Sequence, residues 1–266
     1  MFSGFTPSHR GGSGSPLLCL HGFMDTWRTW ELVLPALERR HDTLALTLPG
    51  HAGGPPIAGK LSSDAFVDAV ERAMDVAGFE RAHLVGNSLG GYVAFQLASR
   101  GRAASVVAFA PAGGWSPSDR SYEELLQAQR TLQEQMQAAA PQAEALLATP
   151  AGRRRASRLI TTNFEHIPPE LLAHQMLGIA SCKGAVALIE NALHEGWKLD
   201  AEQVTCPVRI VWGTADMLLP WPQAAARYRN DWVPQADWVV LDGIGHCPQL
   251  DVPVEAAQLI LSFTSP

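Results

Sequence analysis

The stretch that decides the fold runs from Ala82 to Gly91 and reads Ala-His-Leu-Val-Gly-Asn-Ser-Leu-Gly-Gly. The apolar run at residues 83–85 predicts a strand, and residues 91–100 predict a helix that Gly101 ends. Between them lies Gly-x-Ser-x-Gly, the pattern of a sharp strand-to-helix turn that raises the hydroxyl of Ser88 above the sheet edge. Glycines are expected on both sides because side chains there would collide. The same pattern occurs in ordinary turns, so the rest of the chain must decide whether this serine is a nucleophile.

Composition indicates a globular α/β protein. The chain has 266 residues, of which 47% are hydrophobic and 17% charged, enough for one large domain with an insertion. A net charge of -6 disfavours nucleic acids and anionic membrane surfaces as partners. The four cysteines lack Cys-x-x-Cys spacing, so no metal site or disulfide framework is expected. Neither a signal-peptide core in residues 1–16 nor a long apolar run is found, which predicts a cytoplasmic location.

Short apolar strands alternate with amphipathic helices along most of the chain. This alternation predicts a mostly parallel central sheet flanked by helices on both faces. Strands are expected at residues 17–20, 43–46, 83–85, 106–110, 208–212 and 238–241. Helices are expected at residues 29–40, 63–78, 91–100, 122–139, 152–162, 169–180, 185–195, 221–231 and 254–263. The strand pattern stops between residues 113 and 198, so we expect an all-helical insertion there, with residues 1–112 and 199–266 forming the two parts of the core.

Two further segments carry candidate catalytic residues. Val-Trp-Gly-Thr-Ala-Asp at 211–216 is a strand end followed by a turn that carries Asp216, and Gly-Ile-Gly-His at 243–246 places His246 after the last strand. Because parallel strands end at the same edge of a sheet, both side chains are expected near Ser88. Asp242 and Asp251 lie close to His246 in sequence, but we expect them to be strand-end and loop residues.

The three residue types suit acyl transfer. A histidine can take the proton of a serine hydroxyl, and an aspartate can hold the imidazole in the required tautomer. The tetrahedral oxyanion needs two donors, which we expect to be the backbone N–H groups of Phe23 and Leu89. A histidine base also predicts activity that is lost on acidification.

Taken together, the chain resembles the α/β-hydrolase fold with an inserted helical cap. The resemblance covers the whole chain and is carried by His-Gly-Phe at 21–23, by residues 86–91, by Gly-Thr-Ala-Asp at 213–216 and by Gly-His at 245–246. This group holds carboxylesterases, lactonases, cofactor-free perhydrolases and carbon-carbon bond hydrolases. The resemblance implies a triad of Ser88, Asp216 and His246, an oxyanion hole at Phe23 and Leu89, a cap over the pocket, and no metal or organic cofactor.

Three positions refine the resemblance. Thr47 stands where relatives commonly carry the aspartate of Asp-x-Pro-Gly, and it can still hydrogen-bond the turn. A serine at position 88 argues against haloalkane dehalogenases and epoxide hydrolases, which use aspartate there. Cys247 stands where carbon-carbon hydrolases usually carry tryptophan. The glycine-rich run that those enzymes tend to have after the His-Gly is also missing. The cysteine and the missing glycine run both favour an esterase over a carbon-carbon bond hydrolase.

The expected substrate is a small-to-medium, fairly apolar carboxylic ester or lactone, and the expected assembly is a monomer or homodimer. Candidate substrate-binding residues are Trp27, Trp115, Met217 and Trp221, although the tryptophans could equally be core. The leucines of the insertion could line a pocket or pack against the core. The arginines at 153–155 and 158 are interpreted as a solvated helix face. Alternatives are a carbon-carbon bond hydrolase with the same triad and a ligand-binding receptor on the same fold.

Overall fold

A seven-stranded sheet runs through the molecule. The structure is a computed structural model that describes residues 4–57 and 61–264. The strands are β1 (Ser8–Gly11), β2 (Ser15–Leu20), β3 (His41–Leu46), β4 (Ala82–Asn87), β5 (Ala103–Phe109), β6 (Val208–Gly213) and β7 (Asp237–Leu241). Their order across the sheet is β1-β3-β2-β4-β5-β6-β7, and only β1 is antiparallel to its neighbour. The prediction of a mostly parallel α/β sheet is confirmed.

Both faces of the sheet are covered by helices. The helices are α1 (Leu34–Leu37), α2 (Ser63–Ala77), α3 (Leu89–Ser99), α4 (Ser121–Ala139), α5 (Ala143–Leu147), α6 (Pro150–Ser157), α7 (Pro169–Ala180), α8 (Ala185–Glu195), α9 (Pro248–Asp251) and α10 (Pro253–Thr264). On β2, Leu18 and Leu20 pack into one core with α2 and α3, while Leu17 and Cys19 pack into the other with α10. This alternation follows from the two-residue period of a strand.

Several elements differ from the sequence-based expectations. Helices α5 and α9 were not expected, and α6 ends at Ser157 rather than at residue 162. The edge strand β1 was not expected; it is short and only partly buried, so its apolar pattern is weak. The expected helix at 29–40 is a 3-10 turn, Trp27–Trp30, followed by the four-residue α1 with Pro35 in its first turn. The expected helix at 221–231 is also broken, into a 3-10 turn at Gln223–Ala225 and a π-turn at Tyr228–Trp232.

The segment between β5 and β6 contains helices α4 to α8 and no strand. The packing of α5 and α7 is apolar and includes Leu147, Leu171 and Met176, together with Leu250 of α9. Within the described ranges, no single helix has the length and hydropathy to cross a bilayer; α7 and α8 reach that composition only as a pair, with a 66° bend between them.

Candidate functional site

Ser88 lies at the carboxyl end of β4 in a strained backbone conformation. Its φ of 53° and ψ of -116° are unusual for a residue with a side chain. The backbone is held on both sides: its N–H donates to the carbonyl of Phe109 (2.9 Å), and its carbonyl accepts from the N–H groups of Tyr92 (3.1 Å) and Ala112 (3.0 Å). The surrounding hydrogen bonds therefore impose the sharp turn that the sequence predicts.

Both glycines of the turn are sterically required, for different reasons. A Cβ atom at position 86 would overlap the carbonyl oxygen of Gly90 across the turn. A Cβ atom at position 90 would instead overlap the carbonyl oxygen of Leu20 on β2. The second contact differs from the expected collision across the turn, because α3 begins directly against the neighbouring strand.

Asp216 and His246 form a buried hydrogen-bonded pair. The Nδ1 atom of His246 lies 2.7 Å from Oδ2 of Asp216, and both residues are at most 5% exposed. The other carboxylate oxygen, Oδ1, accepts from the N–H groups of Leu218 (2.9 Å) and Leu219 (2.8 Å). Because an ionised carboxylate can only accept, Nδ1 carries the proton, which leaves Nε2 of the neutral ring as a proton acceptor.

Asn87 connects the serine turn to the histidine loop. Its Nδ2 group donates to the carbonyls of Phe109 (3.1 Å) and His246 (3.0 Å). Its Oδ1 atom accepts from Nε2 of Gln249 (3.2 Å) and from the thiol of Cys247 (3.3 Å). Sequence reasoning missed this role; the available signal was a polar residue at the end of an otherwise apolar strand.

The other acidic residues near His246 have different partners. The carboxylate of Asp251 accepts from the N–H groups of Gly245 (2.7 Å) and Asn163 (2.6 Å), so it holds the histidine loop against the segment after α6. Asp242 accepts from the hydroxyl of Thr214 (3.0 Å). Of these carboxylates, only that of Asp216 bonds the imidazole ring of His246 in the described part of the chain.

The loop after β2 passes directly beside Ser88. A Cβ atom at Gly22 would lie 3.3 Å from Cβ of Ser88. His21 fixes this loop: its Nε2 atom accepts from the N–H of Leu48 (2.9 Å), so its Nδ1–H donates to the carbonyl of Gly22 (2.7 Å). Burial lowers the pKa of His21 well below its usual value, and the ring is a neutral structural brace.

A mostly apolar cavity of about 100 Å³ opens above Ser88. Phe23 and Leu89, the expected sources of oxyanion donors, both line it. Its other apolar walls include Phe66, Val67, Trp115, Leu125, Leu126, Leu188, Ile189 and Trp197. The leucines of α4 and α8 thus contribute to a pocket, one of the two roles that the sequence left open.

Three of the four predicted substrate-binding residues lie elsewhere. Trp115 lines the cavity, but the indole of Trp27 donates to Thr6 (2.7 Å) and stacks on His9. Trp221 packs between Trp212 and Trp238, and Met217 is 62% exposed. The chain turns at Asp216, so Met217 points outward while the next two residues, Leu218 and Leu219, face cavities.

Among the residues at 4–57 and 61–264, no group of three or more His, Cys, Asp or Glu side chains is arranged to hold a metal ion. Cys247, next to His246, is buried, and burial raises the pKa of its thiol well above the usual value. This thiol is therefore neutral and inert.

This arrangement defines the class of protein. A serine in a sharp strand-to-helix turn and a histidine lie at one edge of a parallel sheet, as in a hydrolase. A family model described as alpha/beta hydrolase fold matches residues 15–253, and the chain belongs to this family. It is 35% identical over 212 residues to the epoxide hydrolase EphH of Mycobacterium tuberculosis, an alignment that covers 76% of this chain and 95% of that protein.

Solved structures share the fold. The chain superposes on CarC, a serine hydrolase involved in carbazole degradation, with a TM-score of 0.75, 18% identity, and coverage of 97% of this chain and 93% of that one. It superposes on a thermophilic esterase from Thermogutta terrifontis with a TM-score of 0.71, 21% identity, and coverage of 96% and 91%. At such identities the likeness concerns the fold alone.

Proposed function

We propose that the protein is a serine hydrolase that cleaves a carboxylic ester or lactone through an acyl-enzyme on Ser88. The observation that carries the proposal is the hydrogen bond from Nδ1 of His246 to Asp216, which leaves Nε2 as the base at the edge where the strained turn presents the serine. The bond from Asn87 to the carbonyl of His246 supports their proximity. Residues 113–198 are proposed as a cap, and the substrate as a small molecule.

In the proposed reaction, Oγ of Ser88 attacks the carbonyl carbon while Nε2 of His246 takes the hydroxyl proton. The negative charge that forms on the carbonyl oxygen is stabilised by the N–H groups of Phe23 and Leu89; one such donor contributes about 3 to 4 kcal/mol. His246 then gives its proton to the departing alkoxide, and water, activated by the same base, releases the acid. Asp216 holds the ring and stabilises the imidazolium.

The cavity size restricts one half of the substrate. About 100 Å³ of apolar space is less than the roughly 150 Å³ of an apolar cavity that binds benzene. The group that enters it is therefore short and apolar, on the scale of a propyl to pentyl chain. We expect the rate of ester hydrolysis to peak at short chains.

The decisive test combines turnover with covalent labelling. Initial rates on p-nitrophenyl esters from acetate to dodecanoate are compared for the wild type, Ser88→Ala and Ser99→Ala, the last a serine at the far end of α3. We expect turnover to fall at least a thousandfold only in Ser88→Ala. A fluorophosphonate should add one adduct, by intact mass, to the wild type and none to Ser88→Ala.

Specific outcomes would reject the proposal. Equal rates in the wild type and Ser88→Ala, or labelling that persists without Ser88, would contradict the acyl-enzyme. Hydrolysis of a vinylogous diketone with no ester turnover would identify a carbon-carbon bond hydrolase instead. Styrene oxide is included as a substrate because the 35%-identical relative is named an epoxide hydrolase. This chain has serine in place of the aspartate expected for that chemistry, so we expect styrene oxide to remain intact.

A further inference from the structure

A second cavity, of about 490 Å³, lies on the other side of Phe23. It shares Phe23 and Gln129 with the cavity above Ser88. Its walls are otherwise different, with Asp25 from the loop after β2, Gln175 from α7 and Leu218 from the loop after β6. A substrate whose scissile carbonyl lies beside Phe23 and Ser88 can thus extend into two cavities, one mostly apolar and one with polar side chains in its wall.

Asp25 supplies the carboxylate among the side chains that line the second cavity; the other polar side chains are Gln129, Gln135, Gln175, Arg155 and Arg158. The Oδ1 atom of Asp25 accepts from the N–H of Thr26 (2.7 Å), and Oδ2 accepts from Nε2 of Gln175 (3.3 Å). The hydroxyl of Thr29 is a third donor. All three donors are neutral, and enclosure by the protein raises the pKa of Asp25 to about 6. An ionised carboxylate has about four acceptor sites, so capacity for one more donor remains.

Gln175 presents a second acceptor beside the first. Its Nε2 group is engaged by Asp25, but its buried Oε1 atom has no hydrogen-bond partner within the described residues. The residue is 5% exposed. An unpaired buried carbonyl oxygen is costly, which a ligand with a donor at this point would relieve. Asp25 and Gln175 therefore form an acceptor pair at the wall of the second cavity.

The acceptor pair is anchored to the reaction centre. Thr29, which donates to Asp25, accepts from Nε2 of Gln249 (3.2 Å), and the same group of Gln249 reaches Oδ1 of Asn87 (3.2 Å). Asn87 directly precedes Ser88. A group bound by the pair is consequently held at a fixed position relative to the nucleophile.

We infer that the second cavity takes the half of the substrate that the apolar cavity excludes, and that Asp25 and Gln175 select there for a hydroxyl group as hydrogen-bond donor. This inference rests on the proposed function and names the substrate class more closely: an ester or lactone with a short apolar part on one side of the scissile bond and a hydroxylated part on the other. Asp25 and Gln175 are specificity-determining residues.

Matched substrates test the inference. Esters with an unsubstituted, an ω-hydroxy or an ω-methoxy chain of three to six carbons are compared, with the substituent placed in the alcohol in one series and in the acid in the other. The methoxy group accepts but does not donate. We expect kcat/KM of the wild type to favour hydroxy over methoxy at least tenfold in one series, the size of a hydrogen bond to a charged acceptor.

Variants on two different elements identify the cause. Asp25→Ala and Gln175→Leu should each reduce the hydroxy-to-methoxy ratio toward one, whereas Asp200→Asn, an exposed aspartate remote from both cavities, should leave it unchanged. Because the residues lie on a loop and on α7, a folding defect in one variant leaves the other informative. A ratio near one in the wild type, or a ratio that survives in both variants, would overturn the inference.

Calorimetry separates this inference from the proposed function. Ser88→Ala, which cannot form an acyl-enzyme, should bind the favoured hydroxy ester at least tenfold tighter than its methoxy counterpart, and the added Asp25→Ala change should remove the difference. This binding result without turnover by the wild type would reject the ester hydrolase but keep the hydroxyl site. Ester turnover by the wild type without any preference for the hydroxy ester would keep the ester hydrolase and reject the hydroxyl site.

Discussion

At the scale of single residues, the charge and the position of Asp216 both suit it to orient the imidazole ring of His246. Its carboxylate fixes the tautomer of His246 and is itself oriented by two backbone N–H groups. Replacing one oxygen by an amide group would allow Nδ1 to become the acceptor and move the proton to Nε2, where it would block the proposed base.

We therefore expect Asp216→Asn to lower kcat by about 10³- to 10⁴-fold with a small change in KM. Asp242→Asn is the matched control, because Asp242 accepts from the hydroxyl of Thr214 rather than from His246. Steady-state kinetics on the preferred ester measures both. If the two variants lost activity equally, the assignment of Asp216 would be wrong.

Asp25 should lower stability at neutral pH. The folded protein holds its proton to about pH 6, against about 3.8 in the unfolded chain. This contribution to stability is present below about pH 4 and lost as the pH rises through 6. The difference of about 2 pKa units corresponds to at most about 3 kcal/mol, reduced where water enters the cavity.

Asp25→Asn should therefore raise the melting temperature at pH 7.5, and the gain should shrink toward pH 4. If the Gln175 amide, whose Nε2 group faces this position, turns over, its Oε1 atom, which has no partner among the described residues, accepts from the new amide. Thermal unfolding of both proteins from pH 4 to 8 measures this difference. A gain that did not depend on pH, or a loss at pH 7.5, would contradict the account of the enclosed carboxylate.

At the scale of elements, the junction of β4 and α3 depends on glycines that no other residue can replace. A Cβ atom at Gly90 would overlap a backbone carbonyl of β2, which cannot move without breaking the sheet. At Gly78, which ends α2 with a φ of 79°, no atom lies within 4 Å of an added Cβ.

We expect Gly78→Ala to cost about 1 to 2 kcal/mol, the conformational penalty alone, and Gly90→Ala to cost more than about 4 kcal/mol or to prevent folding. Urea unfolding and the yield of soluble protein report the difference. Equal costs would mean that α3 can shift away from β2, contrary to the packing described above.

The same elements show what could be predicted locally. The bounds of α7 and α8 agree with expectation, because their apolar faces repeat with the helical period and glycine or proline lies near their ends. The prediction of a helix at 221–231 is wrong, although the side chains there are compatible with one. Pro220 and Pro222 lie at its start, and the tertiary packing of Tyr228 against Trp232 determines the local turns.

At the scale of the whole molecule, buried neutral histidines should limit stability in acid. Burial lowers the pKa of His51 to about 4, and it lowers that of His174, with the Arg28 charge, to about 4 as well. The unfolded chain binds these protons near pH 6.5. Stability is therefore lost as the pH falls from about 6.5 to 4, by about 3 kcal/mol for His51 alone.

His51→Phe should reduce this acid sensitivity, since the ring keeps its packing against His21 and Phe23 and loses only hydrogen bonds to the backbone of Pro49 and Leu48. We expect a smaller fall in melting temperature between pH 7 and 4.5 than in the wild type. His194→Phe, at an exposed position, is the control. An unchanged slope in His51→Phe would show that acid unfolding begins elsewhere.

The sequence by itself determined the order of the sheet-edge segments, the strained serine turn and the residue types at each strand end. These are local: a glycine pair, a strand of fixed period and the shared polarity of parallel strands suffice to state them. Of the predicted substrate-binding residues, Trp115 lines the cavity above Ser88, whereas Trp27, Trp221 and Met217 do not. Local sequence does not decide this, because tryptophan and methionine are equally suited to a core, a surface and a pocket.

Only the tertiary structure decided which side chains meet. Asn87 and the carbonyl of His246 are 159 positions apart, and Asp25 and Gln175 are 150 apart. No sequence periodicity relates such residues. Their contact depends on how β4, the loop after β7 and α7 pack against one another and against the rest of the fold. The proposed reaction class therefore rests on short motifs, whereas the two cavities and the acceptor pair, to which we assign substrate choice, arise from packing between distant segments.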